Sequence, residues 1–207
     1  MTRPAYGPGL RLLARTCLQL SGWRDAGVRI DEPRFVVIAA PHTSNWDLPI
    51  MLLLAIDHDV PMHWLGKHTI FRGPFKTFFE ALRGIPVDRR SPQDLVRQLA
   101  ARFQDTPRLV IAIPPEGTRA RRDHWKSGFY RVALAAGVPV VPGYLDYARR
   151  EGGFGAPIHL TGDMERDMDR FRAFYADKAA RHPARVGPIR LRDEPVETGR
   201  RDRDRPV

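Results

Sequence analysis

The sequence predicts an α/β fold, in which a central and mostly parallel sheet is flanked by helices. Two short segments, Arg34–Ala40 and Leu109–Ile113, are apolar almost throughout, as strands buried on both faces are. Segments with helical spacing of apolar residues alternate with such strands along the chain. The length of 207 residues is that of one domain, and the longest apolar run, Leu48–Ile56, has nine residues. Because a membrane-spanning helix needs roughly 20, none is expected.

Three further segments are apolar enough to be strands: Met62–Gly66, residues 85–88, and Val138–Pro142, which leads into 143–147. Pro86 interrupts the second of these. Since proline cannot donate a backbone hydrogen bond, that segment predicts an edge strand or an extended loop. The pair Gly152–Gly153 predicts a turn.

Six segments have apolar residues at helical spacing: 9–23, Asp47–Asp57, Phe71–Arg83, a segment beginning at Ser91-Pro92, Phe129–Ala136 and Asp163–Ala180. Ser91 is a typical N-cap, with Pro92 at the first helical position. Gly137 is a typical C-terminal stop. These signals fix where two of the helices begin or end.

The N-terminal helix is amphipathic, and its apolar side has two interpretations. Leu10, Leu13, Cys17 and Leu20 recur at helical spacing among arginines. The helix either lies in a membrane interface or packs on the core, because both give the same periodicity. We divide the chain into this helix within residues 1–25, an α/β domain over 26–187 and a polar tail over 188–207. The composition of the tail is compatible with disorder.

The charge is strongly basic, with 34 Lys and Arg against 24 Asp and Glu and a net charge of +10. Basic proteins bind polyanions: nucleic acids, phospholipid surfaces or phosphorylated substrates. The sequence contains no helix-turn-helix, zinc or RNA-recognition pattern, so nucleic-acid binding is disfavoured.

A histidine and an aspartate, His42 and Asp47, lie where the first buried strand ends and the next helix begins. In α/β sheets, ligands bind beyond the carboxyl ends of the strands. A turn can bring the Asp47 carboxylate onto the Nδ1–H of His42, which leaves Nε2 free to act as a general base. Such a base could deprotonate a hydroxyl as it attacks a thioester. Alternatively, Asp47 serves only as the N-cap of the helix.

Two charged segments follow later strands. In Glu116-Gly117-Thr118-Arg119, glycine permits a tight turn, arginine presents a planar fork for phosphate, and Glu116 could bind a substrate hydroxyl or an arginine. In Gly84–Arg90, Arg89 and Arg90 precede a helix N-terminus, an arrangement that favours anion binding. The alternatives are a solvated charged loop for the first and an Asp88–arginine ion pair for the second.

The order of the segments is more specific than any one of them. His42-x4-Asp47, Gly84–Arg90, Glu116–Arg119 and the apolar Val138–Pro142 together resemble the four motifs of the glycerolipid acyltransferase family. This is the family of 1-acylglycerol-3-phosphate and glycerol-phosphate acyltransferases. The resemblance covers roughly residues 34–145. It departs from the family pattern at Pro86 and Val87, where members often have an aromatic residue.

The resemblance implies a glycerol-phosphate-acyltransferase-like fold, with 26–187 as the acyltransferase domain. It implies His42 as the base, Asp47 as its orienting carboxylate, and an acceptor-binding set of Arg89, Arg90, Glu116, Gly117, Thr118 and Arg119. It also implies an acyl-CoA or acyl-carrier-protein donor, no cofactor and no metal. We expect a peripheral enzyme that binds an anionic membrane surface on its cytoplasmic side.

The sequence therefore predicts transfer of a fatty acyl group to a hydroxyl of a lyso-phospholipid such as 1-acylglycerol 3-phosphate. Three alternatives stay open: another lyso-lipid or an amine as acceptor, hydrolysis of the thioester by the same dyad, and, as the weakest, a basic nucleic-acid-binding protein.

Overall fold

A computed structural model describes residues 4–87 and 91–194. The helices in this part are α1 (Pro8–Leu20), α2 (Asp47–Asp57), α3 (Lys76–Ala81), α4 (Pro92–Asp105), α5 (Gly128–Ala136) and α6 (Met164–Tyr175). The strands are β1 (Arg24–Asp25), β2 (Arg34–Ala39), β3 (Met62–Lys67), β4 (Gly84–Val87), β5 (Leu109–Ala112), β6 (Val140–Asp146) and β7 (Glu151–Phe154).

The strands form one sheet in the order β1-β7-β6-β2-β5-β3-β4. Every neighbouring pair is parallel except β6 and β7. This mostly parallel sheet, covered by helices, confirms the predicted fold class.

Strand β2 lies near the centre and is apolar at every position after Arg34 because helices cover both faces of the sheet. Phe35 and Val37 point into a core shared with α1 and α2. Val36 and Ile38 point into a second core shared with α4, α5 and α6. The alternation of a strand thus fills both cores. Because β2 pairs in parallel with β5 and β6, the loops beyond their carboxyl ends meet at one edge of the sheet.

The predicted edge strand is confirmed: β4 pairs only with β3, in parallel, among the described strands. The predicted start of α4 and the predicted end of α5 are also confirmed, with Ser91 as N-cap and Gly137 in the left-handed region at φ +64°. Asp163 caps α6 by accepting the Arg166 N–H, and this helix ends at Tyr175 rather than at Ala180.

Two predicted elements are wrong. The helix predicted over Phe71–Arg83 is instead two short 3-10 turns followed by α3. Gly73 has φ +75°, outside the helical region, and the proline that follows lacks the N–H that a continuous helix needs. Gly152 and Gly153 form part of β7 rather than a turn, which residues 147–150 provide. A Cβ on Gly153 would lie 2.5 Å from Gly27 Cα, so glycine serves close backbone approach here.

Helix α1 packs on the core, but not through the predicted stripe. Ala14 and Leu18 are buried, whereas four leucines remain exposed: Leu10, Leu12, Leu13 and Leu20. Arg15 anchors the helix by an ion pair of 2.8 Å with the buried Asp57. No helix among the described residues is both long enough and apolar enough to cross a bilayer.

The first part of the predicted polar tail is described by the structure, and it packs against the domain at Leu191. Residues 188–194 pack against the domain, and Leu191 is 1% exposed because it joins the core beneath α5 and α6. The Trp125 N–H donates to the Arg190 carbonyl, which fixes the segment in place. The remaining tail, 195–207, lies outside the described residues.

Candidate active site

The loop between β2 and α2 brings His42 and Asp47 into contact. The Nδ1 atom of His42 lies 3.0 Å from Oδ2 of Asp47. The same oxygen accepts the backbone N–H groups of Thr43 and Ser44, each at 2.9 Å. Asp47 is the first residue of α2, and its side chain turns back over the loop. These backbone bonds hold the carboxylate against the imidazole, so the short spacing in sequence becomes a defined pair in space.

The Asp47 carboxylate is buried, with 4% of the residue exposed, and is fully hydrogen-bonded. Its second oxygen, Oδ1, accepts the hydroxyl of Tyr147 at 2.7 Å. Burial raises the pKa of Asp47, but hydrogen bonds from His42, Tyr147 and Ser44 outweigh burial and hold this pKa below its usual range. Asp47 is therefore an ionised carboxylate that accepts the Nδ1–H of His42.

The Nε2 atom of His42 has no hydrogen-bond partner within the part of the chain that is described, and the side chain is 19% exposed. Because the Asp47 carboxylate accepts the proton on Nδ1, the imidazole adopts the tautomer in which Nε2 carries a basic lone pair. A hydroxyl group that approaches this edge of the sheet can therefore reach the unprotonated Nε2 of His42.

Glu116, in the loop beyond β5, supports His42 from the other side. Its Oε2 accepts the backbone N–H of His42 at 2.8 Å, and the residue is 6% exposed. Burial raises the pKa of Glu116 to about 7, and the Asp47 charge adds to the rise, while the hydrogen bond and charge of His42 oppose it. Within the described ranges, Glu116 is thus paired with the backbone of the histidine loop and not with an arginine.

The other residues of the Glu116 loop form a turn. Gly117 has φ +65° and donates its N–H to the Pro114 carbonyl at 3.1 Å. The Thr118 hydroxyl accepts the Ala120 N–H at 3.3 Å. Arg119 is exposed and makes no ion pair in the described ranges. Arg89 and Arg90 lie outside the described residues. The structure therefore brings His42, Asp47 and Glu116 together and leaves Arg119 free on the same loop as Glu116.

Sequence reasoning missed the residues that reach the site from the C-terminal half. Tyr147 follows β6 directly and is 100 positions from Asp47. The Arg181 guanidinium lies 5.8 Å from the centre of the Tyr147 ring. Arg185 donates to the Thr43 carbonyl at 3.2 Å, so a second cation borders the histidine loop. The sequence signal that could have placed Tyr147 at this edge is its position directly after the apolar segment that forms β6.

Apolar side chains adjoin the site. Trp46 and Leu48, on either side of Asp47 in the chain, are 60% and 42% exposed. Among the described residues, no three His, Cys, Asp or Glu side chains are placed so that together they could hold a metal ion.

The fold and the site define a class: an α/β protein with a carboxylate-oriented histidine at the carboxyl edge of its sheet, the arrangement of a general base. A family model described as Acyltransferase matches residues 29–146, more than half of the chain. The chain therefore belongs to the acyltransferase family. The match confirms the resemblance found in the sequence and the prediction of an acyltransferase enzyme.

Among solved structures, the chain is similar to the crystal structure of the 1-acyl-sn-glycerophosphate (LPA) acyltransferase, PlsC, from Thermotoga maritima. The TM-score is 0.52 at 15% sequence identity, and the likeness covers 80% of this chain and 75% of that one. At this identity the likeness shows the shared fold. A comparison with curated proteins finds no match.

Proposed function

We propose that the protein transfers a fatty acyl group from an acyl thioester to the hydroxyl of a lyso-phospholipid such as 1-acylglycerol 3-phosphate. The donor would be acyl-CoA or acyl-carrier protein. One observation carries the proposal: in a chain of the acyltransferase family, His42 is held at Nδ1 by Asp47 and offers a free Nε2.

In the proposed reaction, Nε2 of His42 takes the proton of the acceptor hydroxyl as its oxygen attacks the thioester carbonyl. A tetrahedral oxyanion forms and collapses with cleavage of the C–S bond. The His42 imidazolium then returns its proton to the departing thiolate, so the products are an ester and a thiol. The ionised Asp47 stabilises the imidazolium between these steps.

The loop geometry limits where the oxyanion can be stabilised. The N–H groups of Thr43 and Ser44 already donate to Asp47, and that of His42 donates to Glu116. These three backbone donors therefore have partners, and oxyanion stabilisation must come from other groups. General-base catalysis by His42 would contribute on the order of 10²–10⁴ in rate.

The acceptor phosphate would be bound by cations near the histidine loop. Arg119 has no ion-pair partner in the described part of the chain and follows Glu116 by three residues, which supports a role in phosphate binding. Replacing Arg119 by Ala should raise the KM for the acceptor with little change in kcat. Arg166→Ala is the matched control, because Arg166 is an exposed arginine in the first turn of α6.

We further propose that the protein binds an anionic membrane surface peripherally, from the cytoplasmic side. The net charge of +10 and the exposed leucines of α1 support this, as do Phe75 and Phe78, which are 64% and 58% exposed. Sedimentation with anionic vesicles should carry the protein down, and neutral vesicles should carry less. Equal recovery in the supernatant with and without anionic vesicles would contradict this.

The decisive experiment measures thiol release from acyl-CoA across a panel of lyso-phospholipids, alcohols and amines, with acyl-carrier protein as a second donor. Transfer to a lyso-phospholipid should require His42 and be lost in His42→Ala. His159→Ala is the control, since this histidine is 72% exposed. Thiol release that does not depend on any acceptor would indicate a hydrolase instead. Turnover at the wild-type rate in His42→Ala would show that His42 is not the general base.

A further inference from the structure

We propose that Tyr147 is a positioning residue for the His42–Asp47 dyad: its hydroxyl holds the one carboxylate oxygen that the histidine loop leaves open. The proposal rests on the function proposed above. It concerns a residue outside the four motif segments and adds a third side chain to the dyad.

The hydrogen bonds of Asp47 divide unequally between its two oxygens. Oδ2 accepts from His42, Thr43 and Ser44, all within the loop that the aspartate itself closes. Oδ1 accepts only from Tyr147 among the described residues, at 2.7 Å, the shortest of the four distances. Without this hydroxyl a buried carboxylate oxygen would lack a partner among the described residues, and the negative charge on it would be less stabilised.

Tyr147 is itself fixed, so that it can position another group. Its backbone N–H donates to the Ala179 carbonyl at 2.8 Å. Its ring packs edge-to-face with that of Trp23, with 5.0 Å between the ring centres and an interplanar angle of 88°, and Trp23 is buried. Arg181 lies over the ring. The hydroxyl is therefore held by β6, by the segment after α6 and by the residue that precedes β1.

The phenol can act only as a donor to Asp47. Burial raises the pKa of Tyr147, and the hydrogen bond to Asp47 and its charge raise it further, with Arg181 opposing. The hydroxyl thus keeps its proton at neutral pH and is available as a donor. Donation to Oδ1 stabilises the charged carboxylate and moderates its attraction for a proton on the imidazole.

Loss of this hydroxyl has a defined consequence for pH dependence. Among the described residues, the charged and titratable groups beside the dyad are Glu116 beyond β5, Tyr147 beyond β6, and Arg181, His182 and Arg185 after α6; the backbone N–H of His182 donates to the Thr43 hydroxyl. In Tyr147→Phe only the hydroxyl changes. The carboxylate becomes the stronger proton acceptor, so the dyad takes up its proton at a higher pH.

The test compares Tyr147→Phe with Tyr130→Phe. Tyr130 also donates to a buried carboxylate, that of Asp167 at 2.9 Å, but between α5 and α6. The Tyr147→Phe substitution retains the ring that contacts Trp23, so we expect the variant to fold. In Tyr147→Phe, the acidic limb of kcat/KM should move up by about half a pH unit to one unit, and kcat should fall about three- to tenfold. In Tyr130→Phe, the limb should stay at its wild-type position. A Tyr147→Phe limb at the wild-type position would overturn the proposal.

A second readout separates this proposal from the proposed function. The histidine ring signal that disappears in His42→Ala can be followed by NMR as a function of pH, without any substrate. Its midpoint should move up in Tyr147→Phe and not in Tyr130→Phe. If the wild type proves inactive on every thioester and the midpoint still moves, the proposed function fails and the positioning role stands. An unmoved midpoint overturns the positioning role whatever the activity.

Discussion

Replacing Glu116 by Gln should make the free energy of unfolding fall less as the pH rises. Burial and the nearby Asp47 charge raise the pKa of Glu116 to about 7 from its ordinary value of 4.5. Between these two values the unfolded chain releases a proton that the folded protein keeps. Stability therefore falls as the pH rises from 4.5 towards 7, and the loss is complete above the folded-state pKa. Gln cannot ionise, while its side-chain oxygen can still accept the His42 N–H.

The magnitude follows from the two pKa values. The interval from 4.5 to about 7, at about 1.4 kcal/mol per pH unit, corresponds to an upper limit of about 3 kcal/mol. Part of this loss has already occurred at pH 5. The free energy of unfolding of Glu116→Gln, minus that of the wild type, should therefore increase by about 2 kcal/mol between pH 5 and pH 8.

Urea denaturation at pH 5 and pH 8 measures this difference. Glu80→Gln is the matched control, because the Glu80 side chain is 47% exposed, and its difference from wild type should hardly change with pH. A difference for Glu116→Gln that stays constant across the range would show that this carboxyl titrates normally. The account of its burial against the histidine loop would then be wrong.

Two further predictions concern the scaffold. Asp167 is fully buried and accepts hydrogen bonds from Tyr130, Thr161 and Gly162, so Asp167→Ala should lower the free energy of unfolding by about 3 kcal/mol. Urea denaturation beside the exposed-site variant Asp169→Ala checks this, and equal midpoints would contradict it. Gly153→Ala should cost about 2 kcal/mol, because φ is +152° and the new Cβ would meet Gly27 at 2.5 Å. Gly128→Ala should leave the stability unchanged, because a Cβ at this position has no atom within 4 Å. Equal melting temperatures for the two variants would refute the clash at Gly153.

The sheet could be predicted because its central strands are buried on both faces and are therefore apolar at nearly every position. Residues 34–39 are apolar at every position after the first, since both faces of β2 lie under helices. The helix boundaries at Ser91 and Gly137 were equally local, because caps depend on residues next to the helix end. The contact between His42 and Asp47 could be predicted for the same reason, because a single turn of the chain joins the two residues.

Features that depend on which surfaces meet were predicted less well. A glycine signals conformational freedom but not its use, so Gly152–Gly153 suggested a turn where the structure needs close approach to Gly27. The periodicity of α1 showed an apolar stripe through Leu10 and Leu13, yet the buried contacts come from Ala14 and Leu18. A helix with leucines on several sides does not specify by itself which side will face the core.

The amino-acid sequence was sufficient to determine the fold class, the family and the closeness of His42 to Asp47, because each depends on residues close in sequence, on the order of the motifs or on the composition of buried strands. The tertiary structure alone decided what holds that pair in place. Parallel pairing of β2 with β5 and β6 brings Glu116 to the His42 backbone and Tyr147 to the Asp47 carboxylate. These contacts join residues 74 and 100 positions apart, and only the packing of the sheet fixes such distances.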